Sequence, residues 1–174
     1  MLLLARAEHG LWVPRRVPID LVHEVQTLLG FYEAPAADKR ITMALRRERT
    51  DARRRLDVAP GDRQFDLQRA LRHTPEGGDI RVEISAFAAE VRLTVANAGL
   101  DIDAAVLPHV FDRFFRAPTS RGAMASEGIG LGLSIVRATI VAHAGTVSAS
   151  STGGQTRFTL VLLSVDGNAP TGPL

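Results

Sequence analysis

Apolar residues along the chain follow two periods. Leu21, Val22, Val25, Leu28, Leu29 and Tyr32 recur at helical spacing, which predicts a helix from Leu21 to about Ala37 with Asp20 as its N-cap. Ile80, Val82 and Ile84, and then Val91, Leu93 and Val95, occupy every second position. They predict half-buried strands over 80–87 and 91–96, joined as a hairpin. Shorter stretches at 41–45, 55–58, 146–150 and 156–163 predict four further strands. Pro60-Gly61-Asp62 opens a second helix, capped by Asp62, which ends near Thr74-Pro75 ahead of the Glu76-Gly77-Gly78 turn. A short helix is expected near Asp103 to Val110, and a longer one over 130–143. Helices and strands mix without strict βαβ alternation, so the expected class is α+β.

The ends read differently. Leu2 to Glu8 has the character of a helix end, closed by Gly10 and with no cap before it. The tail from Asp166, with Gly167, Pro170, Gly172 and Pro173, is expected to be disordered. The domain proper is thus expected over 11–165, with 1–10 and 166–174 as appendages.

Composition narrows the classes. With 174 residues, 45% of them hydrophobic and 23% charged, the chain has the make-up of one globular domain. The absence of cysteine excludes disulfide scaffolds, thiolate metal sites and cysteine nucleophiles. No apolar run approaches a membrane span of ~20 residues, and Met1 to Ala5 lacks the form of a signal peptide. The net charge is only +2, and Lys39 is the sole lysine among 21 basic residues. The densest basic run, Arg46 to Arg55, is interrupted by acidic and small residues. A solvated edge is expected there, not a nucleic-acid footprint.

The candidate chemistry lies in Gly128-Ile129-Gly130-Leu131-Gly132-Leu133. A glycine-rich turn entering a helix lets backbone N–H groups approach phosphate, and the helix N-terminus adds a favourable field. Alone the signal is weak: no strand precedes it as in a dinucleotide fingerprint, and no Lys-Ser/Thr follows as in a P-loop. Asn97-Ala98-Gly99 lies about thirty residues upstream, at the end of a hydrophobic strand. Phe111-Asp112-Arg113-Phe114-Phe115-Arg116 lies between the two glycine segments, and Arg72-His73-Thr74-Pro75 ends the preceding helix.

In that order and spacing these segments resemble the ATP-binding catalytic domain of two-component sensor histidine kinases, the Bergerat-type ATPase fold shared with gyrase and Hsp90. The subfamily resembled is that of the heavy-metal (copper/silver) sensor kinases, over roughly residues 1–163. The resemblance implies an α/β two-layer sandwich, its mixed and mainly antiparallel sheet covered by helices on one face. It implies that residues 1–10 are the remnant of a second dimerisation helix. It also implies ATP or ADP as ligand. Asn97 would meet the adenine amino group and Gly99 would let the backbone approach the base. Phe111, Phe114 and Phe115 would support a lid formed by residues 117–127. Arg113 and Arg116 would contact the phosphates, and Arg72 and His73 would belong to the nucleotide-binding set. Gly128, Gly130 and Gly132 would wrap the phosphates, Leu131 and Leu133 would anchor the helix, and Thr156 would face the nucleotide.

Two departures qualify the resemblance. The family's helix before His73 has a form resembling Arg-Ala-Leu-x-Asn-Leu-Leu-x-Asn-Ala-Leu-Arg-His-Thr-Pro, whose asparagine holds Mg²⁺. Here the text is Arg69-Ala70-Leu71-Arg72-His73-Thr74-Pro75, and the chain's only asparagines are Asn97 and Asn168. About seven or eight residues are missing, close to two helical turns, so the apolar face can survive the loss. Mg²⁺ binding is thereby in doubt; Gln64 or Gln68 is the remaining candidate oxygen ligand, and the metal ligands stay unassigned. The acceptor histidine of a His-Glu-Leu-Arg-Thr-Pro-like segment is absent too. His23-Glu24 continues as Val25-Gln26-Thr27, and His23 is not expected to accept phosphate.

The expectation is therefore an ATP-binding domain of a sensor histidine kinase, impaired, with no catalytic residue of its own assigned. It could phosphorylate a histidine supplied in trans. The alternative is a non-catalytic module that binds nucleotide, or that binds a full-length kinase's dimerisation domain or a response regulator. A gene remnant is a third reading. A monomer in the cytoplasm is expected, without the membrane and metal-sensing segments of full-length relatives.

Overall fold

The computed structural model describes residues 17–48, 55–58, 67–87, 90–116 and 130–163. The elements are β1 (Val17–Asp20), α1 (Leu21–Asp38), β2 (Thr42–Arg47), β3 (Arg55–Val58), α2 (Leu67–His73), β4 (Asp79–Phe87), β5 (Glu90–Ala98), α3 (Gly132–Ala142), β6 (Thr146–Thr152) and β7 (Gln155–Leu163). A five-stranded sheet runs β2-β4-β5-β7-β6, and β1 pairs with β3 as a separate two-stranded ribbon. Only β2 and β4 are parallel in the large sheet; the other pairs are antiparallel. This is the mixed, mainly antiparallel α/β architecture expected from the sequence.

Local chemistry sets the elements. Asp20 caps α1, its Oδ1 accepting from the N–H of Val22 at 3.0 Å and of His23 at 3.1 Å. The β4–β5 register places Val82 opposite Val95 and Ile84 opposite Leu93, so both apolar rows lie on one face. That face packs on Leu21 and Val25 of α1, Leu67, Ala70 and Leu71 of α2, and Ile140 of α3. Val25, Leu67, Ile80 and Val82 are the most completely enclosed side chains. Burial of each stabilises the fold by ~1.5–3 kcal/mol. The opposite face carries Arg81, Glu83, Arg92 and Arg157, with Thr94 and Ala96 buried among them.

The segment 103–110 departs from expectation. Only Leu107–His109 is helical, and as a 3₁₀ turn. Asp103 holds the preceding turn, its carboxylate accepting from Ala105 N–H at 2.8 Å and its carbonyl from Val106 N–H at 2.8 Å. Pro108 brings no N–H to continue an α-helix, so the segment remains a chain of turns. The remaining differences are end shifts: α3 starts at Gly132, β5 runs to Ala98 and β6 to Thr152. The helix end at 2–8, the Asp62 cap, the 117–127 lid and the tail lie outside the described residues.

Candidate functional site

The end of the sheet nearest α2 is a polar rung above apolar ones. Asn97 of β5 pairs with Thr156 of β7, which pairs with Ser151 of β6. These three side chains share the helix-covered face, since alternate residues of each strand point the same way. Asn97 and Thr156 are both about 5% exposed. The Thr156 and Ser151 hydroxyls hydrogen-bond at 2.8 Å, and Ser151 Oγ also accepts from Ile102 N–H at 2.9 Å. The Asn97 amide donates to the Ala98 carbonyl at 3.1 Å. One rung deeper stand Val95 and Phe158, and then Leu93 and Leu160.

An apolar cavity of about 30 Å³ opens against that second rung. Its walls are Val95, Phe158 and Leu160 from the sheet, Arg69 and Ala70 from α2, Leu133 and Val136 from α3, and Phe111. At that volume it holds about two waters and no base. Arg69 is half-buried, and its Cζ lies 6.0 Å from the centre of the Phe158 ring.

Two glycines bring the surrounding backbone together. Gly99 sits where a Cβ would stand 3.1 Å from the His73 carbonyl, and its N–H donates to Gly154 O at 3.0 Å. The β5 loop is thus held against both the C-terminus of α2 and the β6–β7 turn. Gly130 has φ +72°, and a Cβ there would stand 2.8 Å from the Phe114 carbonyl carbon and 2.9 Å from Phe115 O. Its own carbonyl accepts from Phe114 N–H at 3.0 Å. The aromatic segment and the glycine turn therefore meet backbone to backbone.

Other expected residues fall around this frame. Leu131 is the N-cap of α3 and offers no side-chain hydrogen bond to it. Among the described residues no side chain caps the first N–H groups of the helix, at Gly132 and Leu133. Leu133 is buried with Val110 and Phe111 in a second small core. Phe115 is half-buried, its ring tilted against His109 at 6.0 Å between centroids, whereas Phe114 is 54% exposed. Arg113 and Arg116 are exposed on the segment leading to residue 117, and Gly128 lies outside the described residues. Arg72 and His73 end α2, beside Lys39, whose Nζ donates to Leu71 O at 3.2 Å. Partial burial of the His73 ring, and then the charges of Arg69, Arg72 and Lys39, hold its pKa below the ordinary 6.5. The ring keeps an exposed edge, which limits the effect.

The structure thus pairs Asn97 with Thr156, sets Gly99 against the His73 carbonyl, brings Leu133 to the cavity wall beside Val95 and Phe158, and sets Gly130 against the Phe114–Phe115 backbone. Sequence reasoning did not single out Arg69 or Phe158. Both were within reach of spacing rules: Arg69 lies one helical turn before His73, and Phe158 is two positions after Thr156 on the same strand face.

Among the described residues no group of three or more His, Cys, Asp or Glu side chains could hold a metal ion. Where α2 faces the cavity it presents Arg69 and Ala70, and neither side chain carries an acceptor. At the cavity, α2 therefore offers Mg²⁺ no oxygen ligand.

Residues 67–166 match the family model described as histidine kinase-, DNA gyrase B-, and HSP90-like ATPase. The chain belongs to this ATPase family. It is 35% identical over 169 residues to the sensor histidine kinase CusS of Escherichia coli O6:H1, covering 93% of this chain and 34% of CusS. The chain therefore spans about a third of the length of the curated relatives it matches. Among solved structures it resembles full-length ShkA in complex with AMPPNP, at TM-score 0.78 and 23% identity, over 97% of this chain and 35% of that one. It also resembles a nucleotide-free catalytic domain of histidine kinase ThkA, at TM-score 0.72 and 21% identity, over 85% of this chain and 97% of that one. No described helix is long and apolar enough to cross a membrane.

Proposed function

We propose that this domain binds an adenine nucleotide as the ATP-binding unit of a sensor histidine kinase, and that its own phosphoryl-transfer chemistry is impaired. The carrying observation is the buried Asn97–Thr156–Ser151 rung, closed by the Gly99 loop and facing the α2 and α3 side of the sheet. A buried amide and hydroxyl at the end of an otherwise apolar face are retained where they meet a polar ligand edge. The Asn97 carbonyl oxygen suits the adenine amino group, and the uncapped N–H groups opening α3 suit phosphate. The AMPPNP bound in the ShkA complex supports the same reading.

Kinase chemistry requires more than this frame. Phosphoryl transfer depends on metal ions that neutralise charge on the β and γ phosphates, and the sequence lacks the asparagine that the resembled family uses to hold Mg²⁺. A phosphoacceptor histidine would come in trans, from a dimerisation domain. A second reading, a module that docks on a response regulator, draws on the ThkA relative solved in complex with response regulator TrrA and on the exposed Phe114.

Equilibrium titration with ATP, ADP and GTP, each with and without Mg²⁺, tests the nucleotide reading. ATP and ADP are expected to bind in at least one condition, with GTP weaker by about tenfold, as one mismatched hydrogen bond of ~1–1.5 kcal/mol would give. Asn97→Leu is expected to erase that preference. Absence of ATP and ADP binding in both conditions, or equal GTP binding, would sink the reading.

A further inference from the structure

The turn between β6 and β7 is held from outside its own hairpin. The ladder closes at Thr152 opposite Gln155, so Gly153 and Gly154 form a two-residue turn, with φ of 63° and 75°. The N–H and C=O of Gly154 lie outside that ladder, yet both are engaged by the loop after β5. Asp101 Oδ1 accepts from Gly154 N–H at 2.9 Å, and Gly154 O accepts from Gly99 N–H at 3.0 Å. Leu100, between the two contacts, is 86% exposed, so the loop is fastened here by hydrogen bonds and not by burial of that side chain.

This clasp reaches the Asn97 side chain through a single peptide unit. The peptide that offers Gly99 N–H to Gly154 also carries the Ala98 carbonyl, and its planarity fixes the two groups relative to one another. That carbonyl accepts from Asn97 Nδ2 at 3.1 Å. The Asn97 amide therefore turns its nitrogen toward Ala98 and presents its oxygen on the other side. An oxygen there accepts from the exocyclic amino group of adenine and is repelled by the carbonyl oxygen that guanine carries in its place.

We propose that Asp101 is a positioning residue for base selection: by holding Gly154 it sets the Ala98–Gly99 peptide, and that peptide sets which end of the Asn97 amide a base meets. This rests on the nucleotide reading above and extends it to a residue that acts through the backbone. Without the carboxylate the turn and the loop can part, the peptide can rotate, and the amide can offer its N–H groups to guanine.

The test is calorimetric titration of the full chain with ATP and with GTP, in whichever condition, with or without Mg²⁺, ATP binds more tightly. Wild type is expected to prefer ATP by about tenfold, and Asp101→Ala to bring the two within about twofold by weakening ATP and admitting GTP. Asp101→Asn keeps a carbonyl oxygen at the same reach and is expected to retain most of the preference. Asp101→Glu keeps the charge but displaces the acceptor by a methylene, and is expected to lose most of it. The ratio of the two affinities is the readout, because a merely structural role would lower both alike; circular dichroism checks the fold of each variant. Should Asp101→Ala not fold, the contrast between Asp101→Asn and Asp101→Glu decides. A preference kept in Asp101→Ala, or equal in Asp101→Asn and Asp101→Glu, would overturn the proposal and leave the nucleotide reading intact. Equal binding of ATP and GTP by wild type, or binding of neither, would remove the nucleotide reading together with it.

Discussion

At φ +72°, and with the Phe114–Phe115 backbone closing on it, Gly130 has no room for a side chain. An alanine there carries the left-handed penalty of ~1–2 kcal/mol and must also push away a carbonyl carbon 2.8 Å from its Cβ. Gly77 separates the two effects, since it has φ +74° and nothing within 4 Å of an added Cβ. Gly77→Ala should therefore show the backbone penalty alone, about 1 kcal/mol, and Gly130→Ala about 2–3 kcal/mol. Urea unfolding reads both, as a lowered midpoint at unchanged slope. Equal losses would mean that the aromatic segment yields freely, and that the glycine turn does not position it.

Among the elements, α1 offers the cleanest separation of propensity from packing. Gly30 lies inside it, exposed, with nothing within 4 Å of an added Cβ. Gly30→Ala should stabilise the fold by ~0.5–1 kcal/mol through helix propensity, measured as a raised urea midpoint. No gain would show that helix propensity does not limit stability at that position of α1. Helix α1 and the β4–β5 hairpin were legible in the sequence because a single period governs each and one face of each is buried. The 103–110 segment was not, because Asp103 and Pro108 divert the backbone locally whatever the apolar spacing suggests. Asn97 and Thr156 were legible only by resemblance. That they form one rung follows from strand register, which depends on turns and on partners far along the chain.

Across the whole molecule the least legible feature is convergence. Nothing in the text of β2 announces a parallel partner. Its position is set by Thr42 N–H donating to Gly78 O and Gly77 N–H donating to Lys39 O, bonds that lace the turn after α2 to the end of α1. The same lacing carries Lys39 to the end of α2, where Arg69, Arg72 and His73 already lie. The cost of that convergence depends on pH. The folded state holds the His73 pKa below 6.5, so the unfolded chain binds the proton more readily. Stability is therefore expected to be full above about pH 6.5, to fall as the pH drops from there through the lowered pKa, and to lose nothing further from this group below it. His73→Gln should flatten that limb in urea midpoints measured from neutral pH downward, leaving the loss due to other groups. Arg69→Gln should flatten it in part, because one of the neighbouring charges is gone while the burial remains. An unchanged acid limb in His73→Gln would show that the cations at the α2 end do not act on the ring. The crowding of positive charge at this corner would then be weaker than its geometry suggests.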